Sequence, residues 1–128
     1  MNTSPFLAFD ETHLARCAEQ LSAAALHALP YGAIRLDWDG RIVFYSDAEA
    51  RLSGYARPTL GKHFFTEVAP CLANAGFHAR IEQAQAAGLL DIEFSHIGDF
   101  NDACKEVCFR IQSASDGGVW IFTQRLAL

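Results

Sequence analysis

Three residues of this chain, Cys71, Tyr45 and Glu49, have types and positions that suit chemistry. Cys71 directly follows Pro70, and proline fixes its own φ and biases the residue before it away from helix, so we expect the thiol at a rigid point. Tyr45 and Glu49 place a phenol and a carboxylic acid upstream, where a short helix is predicted to begin. A soft nucleophile with two proton-bearing groups favours a covalent ligand. The alternative is that Cys71 is a small buried hydrophobe.

The composition indicates one compact domain and argues against a nucleic-acid partner. The 128 residues, half of them hydrophobic and ten of them Phe, are enough to close a core. Ten Lys and Arg stand against 15 Asp and Glu, and the cations are scattered singly, with no basic stripe to neutralise phosphates. No apolar run approaches membrane length and the N-terminus does not resemble a signal peptide, so we expect a cytoplasmic protein.

The four cysteines, Cys17, Cys71, Cys104 and Cys108, are expected to be reduced thiols. On a strand, Cys104 and Cys108 would lie about 13 Å apart at ~3.3 Å per residue, beyond the reach of a disulfide. The chain has no Cys-x-x-Cys pair and its five histidines are dispersed, so we predict no metal site.

Hydrophobic periodicity divides the chain into an N-terminal cap, residues 1–28, and a core, residues 29–128. Four cap residues recur at helical spacing and predict one amphipathic helix: Leu14, Cys17, Leu21 and Ala25. In the core, two strands around the Asp39-Gly40 turn are followed by short helices and then by three strands. Strands joined by tight turns form antiparallel sheets, so we predict an α+β fold with the helices gathered on one face.

The last predicted strand is apolar on both faces, which predicts a second layer over the sheet. Its faces carry, on one side, Val119 and Ile121 and, on the other, Trp120, Phe122 and Leu126. A sheet with one wet face would not turn Trp and Phe outward, so we expect the cap to cover them. The candidate cap residues are Phe6, Phe9 and Leu14.

Ser46 and Glu49 fit a capping box at the start of a short helix that ends at Gly54. This gives an alternative interpretation, in which Glu49 bonds to the backbone at the surface and Tyr45 is an ordinary strand-end aromatic.

The order of these residues resembles the photoactive yellow protein family over nearly the whole chain. The most specific parts are the run Val68-Ala69-Pro70-Cys71 and the spacing of Tyr45 and Glu49 ahead of it. Weaker matches are Leu29–Ile34, Gly54, Gly61-Lys62, Phe64-Phe65 and Trp120–Phe122. The resemblance implies a PAS fold, with five antiparallel strands, helices on one face and an N-terminal helical cap on the other. It also implies a blue-light photoreceptor that signals to a downstream protein and is not an enzyme.

The resemblance further implies a p-coumaric acid (4-hydroxycinnamic acid) chromophore, held by a thioester to Cys71. Tyr45 and Glu49 match the two donors to its phenolate oxygen, and Ser53 takes the place of a threonine that supports the tyrosine. The remaining implied pocket residues of the matching core are Ile34, Phe64, Val68 and Ala69.

The residue types suit that chemistry. Only a sulfur nucleophile makes a thioester, and a buried phenolate needs charge-assisted hydrogen bonds. Glu49 donates one only while it keeps its proton, which desolvation favours. If light twists the chromophore and the proton crosses, Glu49 becomes a buried carboxylate for which the sequence predicts no cationic partner. We expect the resulting strain to reach the cap through the sheet and to unfold the cap in part.

Four positions depart from the family pattern. We therefore expect the absorption maximum and the rate of dark recovery to differ from those usual in the family. Tyr55 replaces an arginine at the pocket mouth, and Gly98 opens space where a phenylalanine is usual. Phe100 replaces a tyrosine, and Asp102 replaces a methionine that aids re-isomerisation. Because Asp102 adds negative charge, we expect more of a protonated, blue-shifted pigment. Because the methionine is lost, we expect a slower dark recovery.

Two other functions stay open. One is a PAS-type ligand-binding or protein-interaction module that carries no chromophore. The other is a cysteine-dependent enzyme such as a thioester hydrolase, for which no histidine base is evident in the sequence. The colour and mass of protein made with and without activated p-coumarate separate the three.

Overall fold

A computed structural model describes residues 7–55, 57–70, 77–86, 90–97 and 106–125. It contains a five-stranded sheet of order β2-β1-β5-β4-β3, in which every neighbouring pair is antiparallel. The strands are β1 Gly32–Leu36, β2 Ile42–Tyr45, β3 Asp91–Ile97, β4 Glu106–Ser113 and β5 Val119–Arg125. The predicted α+β class and antiparallel sheet are therefore confirmed.

The predicted turn at Asp39-Gly40 and the turn between β4 and β5 both form where glycine permits a left-handed backbone. Gly40 has φ 87° and donates its N–H to the Asp37 carbonyl at 2.9 Å, while the Asp37 side chain accepts from Arg41 N at 3.0 Å. Gly117, with φ 92°, makes the turn between β4 and β5. Asp and Gly support these turns because the carboxylate bonds to the local backbone and glycine has no Cβ to clash.

The core helices are α3 Asp47–Ser53, a π-helical turn Phe64–Val68, and α4 Phe77–Ala86. Ser46 begins α3 by accepting from Glu49 N at 3.1 Å, and Gly54 ends it with φ 75°. The segment Phe64–Val68 is one of the short helices expected after the first two strands, and it has the wider π form. Ala69 N donates to Phe64 O at 2.7 Å in this turn. Such π-helical turns are rare in proteins as a whole, and those that occur are often found at functional sites.

Two hydrophobic clusters lie on opposite faces of the sheet. The helical-side cluster contains Val119 and Ile121 of β5 with Phe64, Phe65 and Ile81. The cap-side cluster contains Trp120, Phe122, Leu14, Leu26, Leu29 and Tyr31, with Phe9 packed against it. The prediction that β5 is covered on both faces, with the cap over Trp120 and Phe122, is confirmed. Phe6 and Leu126 lie outside the described residues.

The prediction of a single cap helix is wrong. The cap forms two short helices, α1 Leu14–Ala18 and α2 Ala23–His27. Ser22 starts a new helix by accepting from Ala25 N at 3.1 Å, and Glu19 turns its carboxylate to Ser115 N and Trp120 Nε1 at 2.9 and 3.1 Å. Polar contacts to the sheet therefore override the helical spacing of the sequence.

Buried polar side chains of β4 fasten the cap to the sheet. Arg110 Nη1 donates to the carbonyls of Phe9 and Glu11, both at 2.7 Å. Gln112 accepts from Ala15 N at 2.7 Å and donates to Thr12 O at 3.0 Å. Because these groups are buried, each bond also avoids the cost of an unpaired polar atom. Within the described parts of the chain, no helix is long and apolar enough to cross a membrane.

Candidate functional site

The junction between β2 and α3 positions Tyr45 and Glu49. Tyr45 is the last residue of β2 and pairs with Ile34 of β1. Ser46 joins the junction to β1, because its N–H donates to Ala33 O at 2.9 Å and its Oγ accepts from Ala33 N at 3.0 Å. Glu49, in the first turn of α3, is turned inward and is only 3% exposed. The capping-box interpretation of Glu49 as a surface residue is therefore wrong.

The carboxylate of Glu49 is held by two residues of β5. Arg125 makes a bidentate ion pair with it, from Nη1 to Oε1 at 2.6 Å and from Nη2 to Oε2 at 2.9 Å. Thr123 Oγ1 donates to the same Oε1 at 2.5 Å. The Arg125 side chain is only 6% exposed, so the pair is buried on both sides. The expectation that a charged Glu49 would have no cationic partner is wrong.

Gly32 leaves the space that this carboxylate occupies. It pairs with Thr123 across β1 and β5. A Cβ at position 32 would lie 2.1 Å from Glu49 Oε1 and 2.2 Å from Thr123 Oγ1. Any side chain larger than glycine would therefore displace both polar atoms.

The hydroxyl of Tyr45 is buried, and no described residue meets it at full hydrogen-bond geometry. Burial raises the pKa of Tyr45 and the neighbouring Glu49 carboxylate raises it further, while a hydrogen bond with the Ser53 side chain opposes the shift. The phenol therefore stays protonated and is a hydrogen-bond donor. Ser53 is thus the described side chain that interacts with this hydroxyl, and the hydroxyl still suits a ligand acceptor placed beside it.

The structure brings the other described pocket residues of the core to the same side of the sheet. Ile34, Phe64, Val68 and Ala69 belong to the helical-side cluster, and each is at most 3% exposed. Tyr45 and Tyr55 pack against this cluster and also line an open groove of about 770 Å³.

Ser53 is buried, and its Oγ accepts from the backbone N–H of Tyr55 at 3.1 Å. Four predicted site residues lie outside the described residues: Cys71, Gly98, Phe100 and Asp102. Their roles stay predictions, as does the domain boundary between residues 28 and 29.

A direct contact joins the cap to the helix that carries Glu49. His27, the last residue of α2, accepts from Asp47 N through Nδ1 at 3.0 Å, and Asp47 is the first residue of α3. The His27 ring also lies 4.8 Å from the ring of Phe44. The expectation that only the sheet connects this helix to the cap is wrong, because the chain has a second connection outside the sheet.

The partners of Glu49 are functional candidates that the sequence analysis missed. Alternation along β5 places Thr123 and Arg125 on the same face as Ile121, which packs with the helices. The signal available in the sequence was that Thr123 and Arg125, two polar residues, lie on the inward face of a strand that is otherwise apolar, which indicates a buried polar partner. The sequence does not indicate which helical residue they meet.

Comparison with known proteins gives related sequences and structures. A photoactive yellow protein from Halochromatium salexigens is 33% identical over 118 residues, which are 91% of this chain and 91% of that protein. The photoactive yellow protein domain of the sensor histidine kinase Ppr from Rhodospirillum centenum is 38% identical, with a TM-score of 0.74 over 83% of this chain and 95% of that chain. No protein-family model matches the chain.

A PAS domain from Colwellia psychrerythraea has a TM-score of 0.59 at 13% identity, over 81% of this chain and 92% of that chain. At this identity it supports the fold alone. Together with the closer structural match, it confirms the predicted PAS fold.

Proposed function

We propose a pigment and a mechanism for this chain on one premise, which is that it belongs to the photoactive yellow protein family. Its function is accordingly that of a PAS-fold photoreceptor with a sensory role. The proposed chromophore is p-coumaric acid, attached to Cys71 through a thioester. When bound, this group supplies absorption of blue light and trans–cis isomerisation.

The observation that carries the proposal is the buried hydroxyl of Tyr45, which no described residue meets at full hydrogen-bond geometry. A phenolate in a protein interior needs donors, and Tyr45 is a neutral donor whose raised pKa keeps its proton in place. The apolar residues Ile34, Phe64 and Val68 of the same cluster would exclude water from such a group.

Cys71 is the proposed attachment residue. Its thiolate attacks the carbonyl carbon of an activated p-coumarate, and the activating group leaves with the electron pair of the bond that breaks. Ala69, two residues earlier, is 3% exposed in the helical-side cluster against which Tyr45 also packs, and this supports Cys71 as the attachment residue.

Glu49 is the proposed proton source. In the dark it would hold a proton on its carboxyl and donate a hydrogen bond to the phenolate oxygen. After illumination it would give up that proton and remain as a carboxylate.

Two structural connections support transmission of the change at Glu49 to the cap. One is β5, which bears Thr123 and Arg125 on the Glu49 side and Trp120 on the cap side, and the other is the Asp47–His27 bond.

Partial release of the cap is the proposed output. The cap is fastened by a limited set of contacts to β4 and β5, and small units of this kind open before the core does. The proposed partner is a signalling protein that binds the surface uncovered by the cap. The relative from Rhodospirillum centenum, a domain of a sensor histidine kinase, supports a partner of the signalling class.

Reconstitution with activated p-coumarate tests this function. We expect the wild-type chain to gain one coumaroyl group by intact mass and to absorb in the blue, whereas Cys71→Ala stays colourless. Cys17→Ala and Cys108→Ala are matched controls at free thiols and should colour normally. A coloured Cys71→Ala protein, or a coumaroyl group mapped to another cysteine, would contradict attachment at Cys71, whereas a wild-type chain that takes up no pigment would favour a module without this chromophore.

A further inference from the structure

Both described hydrogen-bond partners of the Glu49 carboxylate donate to it. Arg125 uses both Nη atoms, and a guanidinium has no lone pair with which to accept a proton. Thr123 Oγ1 accepts from Arg125 Nη1 at 2.9 Å and donates its own hydrogen to Glu49 Oε1. Donors thus occupy three of the roughly four lone-pair sites of the carboxylate, which leaves one site on Oε2 for a proton. In the chain without pigment, this geometry fits an ionised carboxylate.

Among the residues that the structure describes, the other titratable group that faces this carboxylate is the phenol of Tyr45. Tyr45 approaches from β2, and its raised pKa keeps it neutral. Arg125 approaches from β5 and supplies the positive charge. Among the described residues, the charges at this position are thus one anion and one cation, which compensate each other.

We propose that Arg125, positioned by Thr123, is the counter-ion of Glu49 and sets how the proton is shared between Glu49 and the chromophore. This inference rests on the proposed function. The proton has two places: on Glu49 with an ionised phenolate, or on the phenolic oxygen with an ionised Glu49. Arg125 stabilises the second arrangement because it pairs with the carboxylate that the proton leaves behind.

Two consequences follow for the loaded protein. In the dark, Arg125 increases the fraction of neutral, blue-shifted pigment. After illumination, it stabilises the ionised Glu49 and prolongs the lit state. Arg125→Gln should therefore strengthen the anionic band and speed dark recovery, each by about tenfold, the change that one pKa unit represents. Arg125→Lys keeps the charge without the fork and should restore part of both properties.

The first arm of the test needs no chromophore. Urea unfolding of the pigment-free full chain would be compared for wild type, Arg125→Gln, Glu49→Gln and the double variant. We expect each single change to lower the midpoint, and the double variant to lose less than the sum of the two, because neither charge is then left unpaired. Arg51→Gln, on the exposed face of α3, is the matched control for charge. Additive losses would overturn the pairing.

The second arm uses the same variants loaded with activated p-coumarate. A raised ratio of anionic to neutral pigment and a faster recovery in Arg125→Gln, partly reversed in Arg125→Lys, would support the counter-ion. An unchanged ratio and recovery would overturn it, even where unfolding is non-additive. A wild-type chain that takes up no pigment would overturn the proposed function and this use of Arg125. Failure of the counter-ion proposal and failure of the proposed function can be told apart, because the unfolding experiment measures the ion pair whether or not the chain takes up pigment.

Discussion

Glu19 is expected to be the main electrostatic contact that keeps the cap on the sheet. Its Oε2 accepts from Ser115 N at 2.9 Å and from Trp120 Nε1 at 3.1 Å, and Arg35 Nη2 lies 3.4 Å away. Burial opposes ionisation, but the hydrogen bonds from Ser115, Trp120 and Arg16 outweigh it and lower the pKa of Glu19 from 4.5 to about 2. The ionised form is thus the one that the docked cap stabilises.

The perturbation is Glu19→Gln, which keeps the shape of the side chain and removes its charge. The pKa change from 4.5 to about 2 corresponds to at most about 3.5 kcal/mol of stability, at about 1.4 kcal/mol per unit. The carboxylate is still partly exposed, so solvent screening reduces the expected loss at pH 7 to about 1–2 kcal/mol. Because the folded-state pKa is lowered, this stability is complete above pH 4.5 and is lost as the pH falls toward 2.

Urea unfolding of the wild type and of Glu19→Gln between pH 7 and pH 3 measures the stability that the ionised Glu19 contributes. The free energies of unfolding should differ at pH 7 and converge as the pH falls. Asp10→Asn, at an exposed carboxylate of the cap, is the matched control and should parallel the wild type. If Glu19→Gln is as stable as the wild type at pH 7, or if the difference does not change with pH, then this contact does not hold the cap.

Three further outcomes are expected. Gly32→Ala should lower the free energy of unfolding by about 1–3 kcal/mol, since the new Cβ overlaps the Glu49 carboxylate; equal thermal midpoints would contradict this. In the loaded protein, Glu49→Gln should shift absorption to the red, because a weaker donor stabilises the ground-state phenolate less, and an unshifted spectrum would contradict that contact. Under illumination, amides of residues 7–28 should exchange faster with solvent while β5 stays protected, and equal exchange in light and dark would place the signal elsewhere.

The sheet and its two covered faces could be predicted because strand periodicity depends on the backbone alone. Side chains alternate along β5, so Val119 and Ile121 must face away from Trp120 and Phe122. Both faces are apolar, and each therefore required a layer. The turn at Gly40 was predictable for a similar local reason, since its φ of 87° suits glycine.

The buried ion pair could not be predicted, because its two residues are 76 positions apart in the chain. Their meeting depends on the pairing of Gly32 with Thr123 and on the angle at which α3 lies against the sheet. The residue types left two interpretations of Glu49 open, a capping residue at the surface and a proton donor to a buried phenolate. They did not indicate that three donors from β5 would reach its carboxylate first.

The cap shows the same limit at shorter range. Helical spacing predicted a single helix. Ser22, however, starts a second helix, and the Glu19 carboxylate binds the backbone N–H of Ser115, which lies 96 residues away in the turn between β4 and β5. The contact of His27 with Asp47 likewise depends on where the second helix ends. The cap therefore follows a local signal, the Ser22 N-cap, together with contacts distant in sequence that helical spacing does not indicate.

The light-minus-dark absorption spectrum of the loaded full chain tests the central claim most directly. The account predicts that blue light bleaches the coumaroyl band reversibly, with a blue-shifted product that returns in the dark, because Glu49 gives up its proton while Arg125 holds the carboxylate. A pigment on Cys71 whose spectrum does not change under illumination would contradict the account, since the chain would then bind the chromophore without sensing light.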